Sequence, residues 1–170
     1  PSGSGRLSAD ARGEPSKRSG GVYCYRRRGG KVFVKICGLT DDAGLQAAVA
    51  SGADAVGFVF AESPRRVSPA RATRLCRDLP ENLIRVAVMR HPSIEEWQTV
   101  RDEFAPDWLQ TEAADFETLK LPTQCNALPV YRNGQQTNVA ETTRILFEGS
   151  NSGRGEVADW QEAAAIVGET

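Results

Sequence analysis

The chain has 170 residues, 40% of them hydrophobic and 25% charged, with a formal net charge of −1. That balance suits one globular domain and excludes fibrous and low-complexity classes. No run nears the roughly 18 consecutive apolar residues of a membrane span, and the opening residues lack the apolar stretch of a secretory signal, so a cytoplasmic protein with no membrane partner is expected.

Residues 1–30 are rich in Gly, Ser, Arg and Pro, include Arg26-Arg27-Arg28, and carry +5, leaving −6 for the remainder. They offer too little apolar surface to fold, and a disordered basic tail is expected there. Such a tail can attract nucleic acid through charge. Only Tyr23 and Tyr25 supply aromatic surface, so an inert extension is the preferred reading and no nucleic-acid partner is expected.

From Lys31 the texture changes to short apolar runs alternating with amphipathic stretches, the pattern of βα units feeding a parallel sheet. Val32 to Ile36 reads as the first strand. A helix starts near Thr40-Asp41-Asp42, where side-chain oxygens can cap free amides; Leu45, Ala48 and Val49 form its buried face, and Gly52 ends it. Ala55 to Phe60 reads as a fully buried strand. Pro69–Leu79 is a predicted helix, Ile84–Val88 a strand, Ser93–Phe104 a helix, and Trp108–Gln110 a strand. A short helix is expected within Phe116–Leu121, a fifth strand at Leu128–Tyr131, a sixth at Arg144–Phe147, and a last helix over Asp159–Val167. Gly134 to Thr143 leaves little room for a crossover helix.

Six strands in residues 31–170 amount to roughly 23 residues per unit, whereas a closed (β/α)8 barrel uses eight units over at least about 200 residues. The expectation is therefore an α/β fold of the TIM-barrel type, incomplete, with two units missing. Its open barrel edges invite self-association.

Cys24, Cys37, Cys76 and Cys125 are irregularly spaced, with no C-x-x-C pair and one histidine, His91, in the chain. They read as free thiols, and no metal site is expected. Cys37 stands at the C-terminal end of a buried parallel strand, where barrel active sites assemble. A following helix N-terminus and Lys35 both favour a thiolate there. On spacing alone, Cys37 reads as a small buried hydrophobe. His91, before Pro92 at a strand end, reads as structural.

Lys35-Ile36-Cys37-Gly38-Leu39-Thr40, then Gly52-Ala53-Asp54-Ala55-Val56-Gly57-Phe58-Val59-Phe60, then Ser63-Pro64-Arg65-Arg66-Val67-Ser68-Pro69 resembles the opening of the phosphoribosylanthranilate isomerase family. Ile145-Leu146-Phe147-Glu148-Gly149-Ser150, with Ser152-Gly153-Arg154-Gly155-Glu156 and Asp159-Trp160, is similar to the family's sixth strand, glycine-rich loop and helix start. The resemblance implies an Amadori rearrangement of N-(5-phosphoribosyl)anthranilate, a phosphosugar, in tryptophan biosynthesis, with no metal or organic cofactor. It implies that Cys37 is the base and Glu148 the acid, the latter standing where the family usually has aspartate.

By the same resemblance Arg65 holds the anthranilate carboxylate, with Arg66 the second choice, and Lys35 and Gln110 complete the substrate-binding set. The fourth strand departs from the family: Gln110-Thr111-Glu112-Ala113-Ala114-Asp115 replaces a Gln-Leu-His-Gly pattern, so Glu112 and Asp115 are expected to face solvent. The family grips phosphate with loops after strands seven and eight, which the six-strand reading lacks, and Gly149 to Gly155 reads instead as a lid. Little activity is expected of this chain alone. The alternative is a non-catalytic half-barrel module that assembles with a complementary fragment.

Overall fold

The structure is a computed structural model, and it describes residues 32–132, 144–149 and 161, together with the backbone of 21–26. Its elements are β1 (Gly21–Arg26), β2 (Val32–Cys37), α1 (Asp42–Ala50), β3 (Ala55–Val59), α2 (Pro69–Leu75), β4 (Ile84–Val88), α3 (Ile94–Phe104), β5 (Trp108–Glu112), a 3-10 turn (Ala113–Glu117), β6 (Asn126–Arg132) and β7 (Leu146–Glu148). The seven strands form one sheet in chain order. From β2 to β7 every neighbouring pair is parallel. Six successive parallel strands, the first three links made by helices, are the expected incomplete (β/α) barrel.

Period-2 alternation gives the sheet two buried faces. Val56, Phe58, Ala87 and Leu109 point toward the helices, where they pack with Leu45, Ala72, Trp97 and Phe104. Phe33, Ala55, Val86, Trp108, Leu128, Val130 and Leu146 point to the other side and form a second core. Phe33 on β2 and Trp108 on β5 stack there with ring centroids 5.5 Å apart and planes 10° apart, although two strands lie between theirs. The sheet must therefore curl, and the second core is the inside of the barrel wall.

Two aspartates hold the strand starts in register. Asp54 accepts from the Val34 amide at 2.9 Å, and Asp107 accepts from the Arg85 amide at 2.7 Å. The helices start as their caps dictate. Asp41 accepts from Gly44 N and Ser68 from Arg71 N, while Ser93 and Glu96 form a reciprocal capping box. Gly52 adopts a φ of 75° after α1, the left-handed conformation that glycine takes without steric cost.

Several boundaries differ from the expectation. α2 stops at Leu75, and Arg77 N and Leu79 N continue as three-residue turns to Arg74 O and Cys76 O. Pro80 disfavours helical geometry at the residue before it. The helix expected within Phe116–Leu121 is the 3-10 turn at Ala113–Glu117. β5 extends to Glu112 and β7 to Glu148. The helix expected over Asp159–Val167 lies outside the described residues except for helical Gln161.

Within residues 1–30, expected to form a disordered tail, Gly21–Arg26 form β1 and pair antiparallel with β2, Tyr23 opposite Lys35. Val22-Tyr23-Cys24-Tyr25 are strand-formers, and the outer edge of β2 presents unpaired amides and carbonyls that a strand can satisfy. The rest of that segment lies outside the described residues.

Candidate active site

Alternation along the strands decides which side chains share the inner face. Lys35 and Cys37 follow Phe33 at even spacing; Gln110 and Glu112 follow Trp108; Arg132 follows Val130; and Glu148 follows Leu146. All six therefore line the inside of the wall near the C-terminal ends of their strands, the end where barrel enzymes carry their chemistry. Cys37 is the last residue of β2 and Glu148 the last of β7.

Cys37 is 7% exposed. Its partner across the ladder is Gly57, and a β-carbon at that position would lie 3.0 Å from Cys37 Sγ. The thiol thus occupies space that any larger residue on β3 would take. Gly38 N and Leu39 N both donate to Gly57 O, which turns the chain sharply after the thiol. Arg71 of α2 donates from Nε and Nη2 to Thr40 O and ties this loop to the helix layer.

Lys35 sits two residues earlier and is buried. Burial pulls its ammonium below its ordinary pKa, opposed by the charge and hydrogen bonding of Cys37 and by the charge of Glu148. One side chain therefore senses both ends of the proposed acid–base pair. The helix expected to favour a thiolate carries acidic Asp41 as its cap and Asp42 in its first turn, so its N-terminus is already faced by carboxylates.

The two neighbouring arginines part ways. Arg65 lies over Gly38, whose φ is 81°; a β-carbon on Gly38 would fall 2.5 Å from Arg65 Nη1. Its guanidinium is thereby brought to the mouth beside Cys37. Arg66, bridged to Val59 by backbone pairing, lines a groove on the helix side with Phe60, Val67, Met89 and Glu96. Ser63 steadies the turn by accepting from Arg65 N.

Gln110 is 5% exposed, and its Oε1 accepts no hydrogen bond among the described residues. A buried amide oxygen in that state is unusual, and it points to the same interior as Cys37.

The expectation that Glu112 and Asp115 face solvent is corrected. Glu112 is 6% exposed and accepts from Arg132 Nε and Nη2 at 3.0 and 2.6 Å. Arg132 also reaches Glu148, Nη1 to Oε2 at 3.2 Å. β5 runs two residues further than its apolar pattern suggests, so the pleat turns Glu112 inward, where the arginine of β6 compensates its charge. Arg132 was not singled out from the sequence, because an isolated arginine at a strand end carries no signal until its neighbours are known. Asp115 accepts from Thr111 Oγ1 and from the His91 backbone, and pairs with His91 Nδ1 at 3.0 Å. That contact organises the loops after β4 and β5 and gives His91 the structural role expected of it.

Cys76 and Cys125 lie away from this face, and burial pushes their thiols up to about 11 and about 12. The segment read as a lid, Gly149 to Gly155, lies outside the described residues beyond Gly149. Among the described residues, no group of three or more His, Cys, Asp or Glu side chains is arranged to hold a metal ion, and no helix is long and apolar enough to cross a membrane.

A thiol and a carboxyl at the C-terminal mouth of a parallel wall, with a buried lysine coupled to both, belong to an incomplete fold of the (β/α)-barrel class. The family model for N-(5'phosphoribosyl)anthranilate (PRA) isomerase matches residues 34–167. An N-(5'-phosphoribosyl)anthranilate isomerase of Streptococcus mutans serotype c is 34% identical over 134 residues, which are 76% of this chain and 68% of that protein. One from Bordetella pertussis is 50% identical over 81 residues, 47% of this chain and 37% of that protein. Among solved structures, phosphoribosyl anthranilate isomerase from Thermus thermophilus superposes with a TM-score of 0.65 at 24% identity, over 79% of this chain and 70% of that one, a likeness of fold. The Thermotoga maritima enzyme gives 0.59 at 26% identity over 74% and 67%. The chain belongs to the phosphoribosylanthranilate isomerase family, an isomerase family of tryptophan biosynthesis.

Proposed function

We propose that this chain carries the acid–base half of a phosphoribosylanthranilate isomerase site, with Cys37 as base, Glu148 as acid and Arg65 as substrate anchor. The substrate is N-(5-phosphoribosyl)anthranilate, the molecule named in its relatives. Glu148 gives its proton to the furanose ring oxygen; the ring C–O bond breaks and a protonated Schiff base forms at C1′. The iminium acidifies C2′, and Cys37 takes the proton from that carbon. The resulting enolamine tautomerises to the ketose, 1-(2-carboxyphenylamino)-1-deoxyribulose 5-phosphate.

The single observation that carries this reading is the common inner face of Cys37 and Glu148, with Lys35 coupled electrostatically to both. Lys35 places its amine beside the base, its pKa pulled down by burial and supported by the charges of Cys37 and Glu148. Arg65 offers a planar pair of donors suited to a carboxylate. Gln110 adds an amide from the opposite wall.

The test is steady-state turnover of N-(5-phosphoribosyl)anthranilate by the chain and by its Cys37→Ser and Glu148→Gln variants. More than a tenfold loss is expected for each. A smaller loss in either removes that residue from its role. Turnover by the 170-residue chain alone is expected to be far below the roughly 1–1,000 per second of ordinary enzymes, because the described residues supply six parallel strands where a closed barrel has eight.

A further inference from the structure

The sequence places a glutamate where the family has an aspartate, and the extra methylene calls for something to fix the carboxyl. Arg132 and Glu148 are partners across the β6–β7 ladder, and Arg132 Nη1 stands 3.2 Å from Glu148 Oε2. Glu112 approaches the same guanidinium from β5, through Nε and Nη2, with bonds of 2.6 to 3.2 Å. These carboxylates are 8% and 10% exposed at the side chain, and the arginine 19%. Three strand ends are thus joined by one enclosed cation held between two acids.

We propose that Glu112 and Arg132 are positioning residues for the acid: Glu112 holds Arg132, and Arg132 fixes one oxygen of Glu148 so that the other is free to meet the substrate. This inference rests on the reading of Glu148 as the proton donor. The division of labour follows from the geometry. An arginine alone beside Glu148 would favour its carboxylate and oppose proton donation. Glu112 takes the Nε–Nη2 edge, the fork that binds carboxylates best, and leaves Glu148 a single contact from Nη1. Much of the guanidinium's charge is therefore answered by Glu112, and Arg132 orients the acid through a single contact.

Among the described residues, Lys35 on β2 is also electrostatically coupled to Glu148, and to Cys37. Arg144, preceding β7, is stacked over Trp108 at 4.9 Å and is engaged with that ring.

The test is a pH titration of the Glu148 side-chain carboxyl by carbon-13 NMR on glutamate-labelled chain, its resonance assigned by its disappearance in Glu148→Gln. In Glu112→Gln the full charge of Arg132 acts on Glu148, and the midpoint is expected to move about one pH unit lower; in Arg132→Met the cation is gone, and it is expected to move about one unit higher. Opposite displacements are a signature that a merely structural role would not produce. Arg132→Lys, which keeps the charge and loses the fork, is expected to restore the midpoint but not turnover. Midpoints that stay in place in both neutral variants, or move the same way, overturn the inference. Retention of turnover in Glu148→Gln would instead sink the acid role while leaving the titration arms to judge the clamp.

Discussion

A β-carbon on Gly57 would stand 3.0 Å from Cys37 Sγ, so the absence of a side chain on β3 is what gives the thiol its place at the mouth of the barrel wall. Gly57 has ordinary strand geometry, and its Cβ would also meet Val88 Cγ2 at 3.4 Å. The constraint is one of space rather than of backbone conformation.

Gly57→Ala is therefore expected to fold and to displace the thiol by a few tenths of an ångström. Turnover should fall about tenfold, since small misplacements of a reacting group are costly. Circular dichroism and steady-state kinetics on the same preparation check this; unchanged kcat would mean that the thiol's position is not set by Gly57.

Arg65 and Arg66 are adjacent in sequence and opposite in placement, which separates their expected roles. Arg65→Ala should raise KM by roughly 10- to 100-fold through loss of a charge-assisted pairing worth about 1.5–3 kcal/mol. Arg66→Ala should change KM less than twofold, because its side chain lines the helix-side groove near Glu96. Equal effects of the two substitutions would contradict the assignment.

Lys35→Met removes the buried amine that is hydrogen-bonded and electrostatically coupled to Cys37. Alkylation of Cys37 by iodoacetamide at pH 8, followed by peptide mass spectrometry, should slow by about tenfold, because the thiolate is the reacting form. Cys76 and Cys125 serve as internal references: burial holds them at about 11 and about 12, so both should label slowly in either protein.

Those two thiols also set an alkaline limit on stability. Their folded-state values lie above the ordinary 9.0. Between about 9 and 11–12 the folded chain therefore binds more protons than the unfolded one, and stability falls as pH rises through that window. Lys35 acts in the opposite sense, since its lowered value makes the folded chain bind fewer protons below 10.5. Comparing the parent with Cys76→Ser/Cys125→Ser isolates the thiols: urea midpoints of the double variant should decline less steeply from pH 9 to 11. Parallel declines would show that neither thiol is buried as described.

Much of the wall was legible residue by residue. Phe58 and Leu109 sit in unbroken apolar runs, which are the mark of strands covered on both faces, and Ser93 with Glu96 announces a helix start through local chemistry. The site was legible only in part. Cys37 and Glu148 came from resemblance, and spacing alone left Cys37 indistinguishable from a small core residue. Glu112 was misjudged because a carboxylate at the end of a strand looks solvent-facing until the pleat and its partner on the next strand are known.

The order of strands and helices and their caps are carried by the chain itself, because they depend on hydrogen bonds and side-chain periodicity within a dozen residues. Only the folded sheet decided that Arg65 rather than Arg66 meets Gly38, that Arg132 joins Glu112 to Glu148, and that Gly21–Arg26 pair with β2. Each of these joins residues on different strands or loops through charge, close packing or an unpaired backbone edge. Such contacts exist only once curvature and register have brought the partners within a few ångströms.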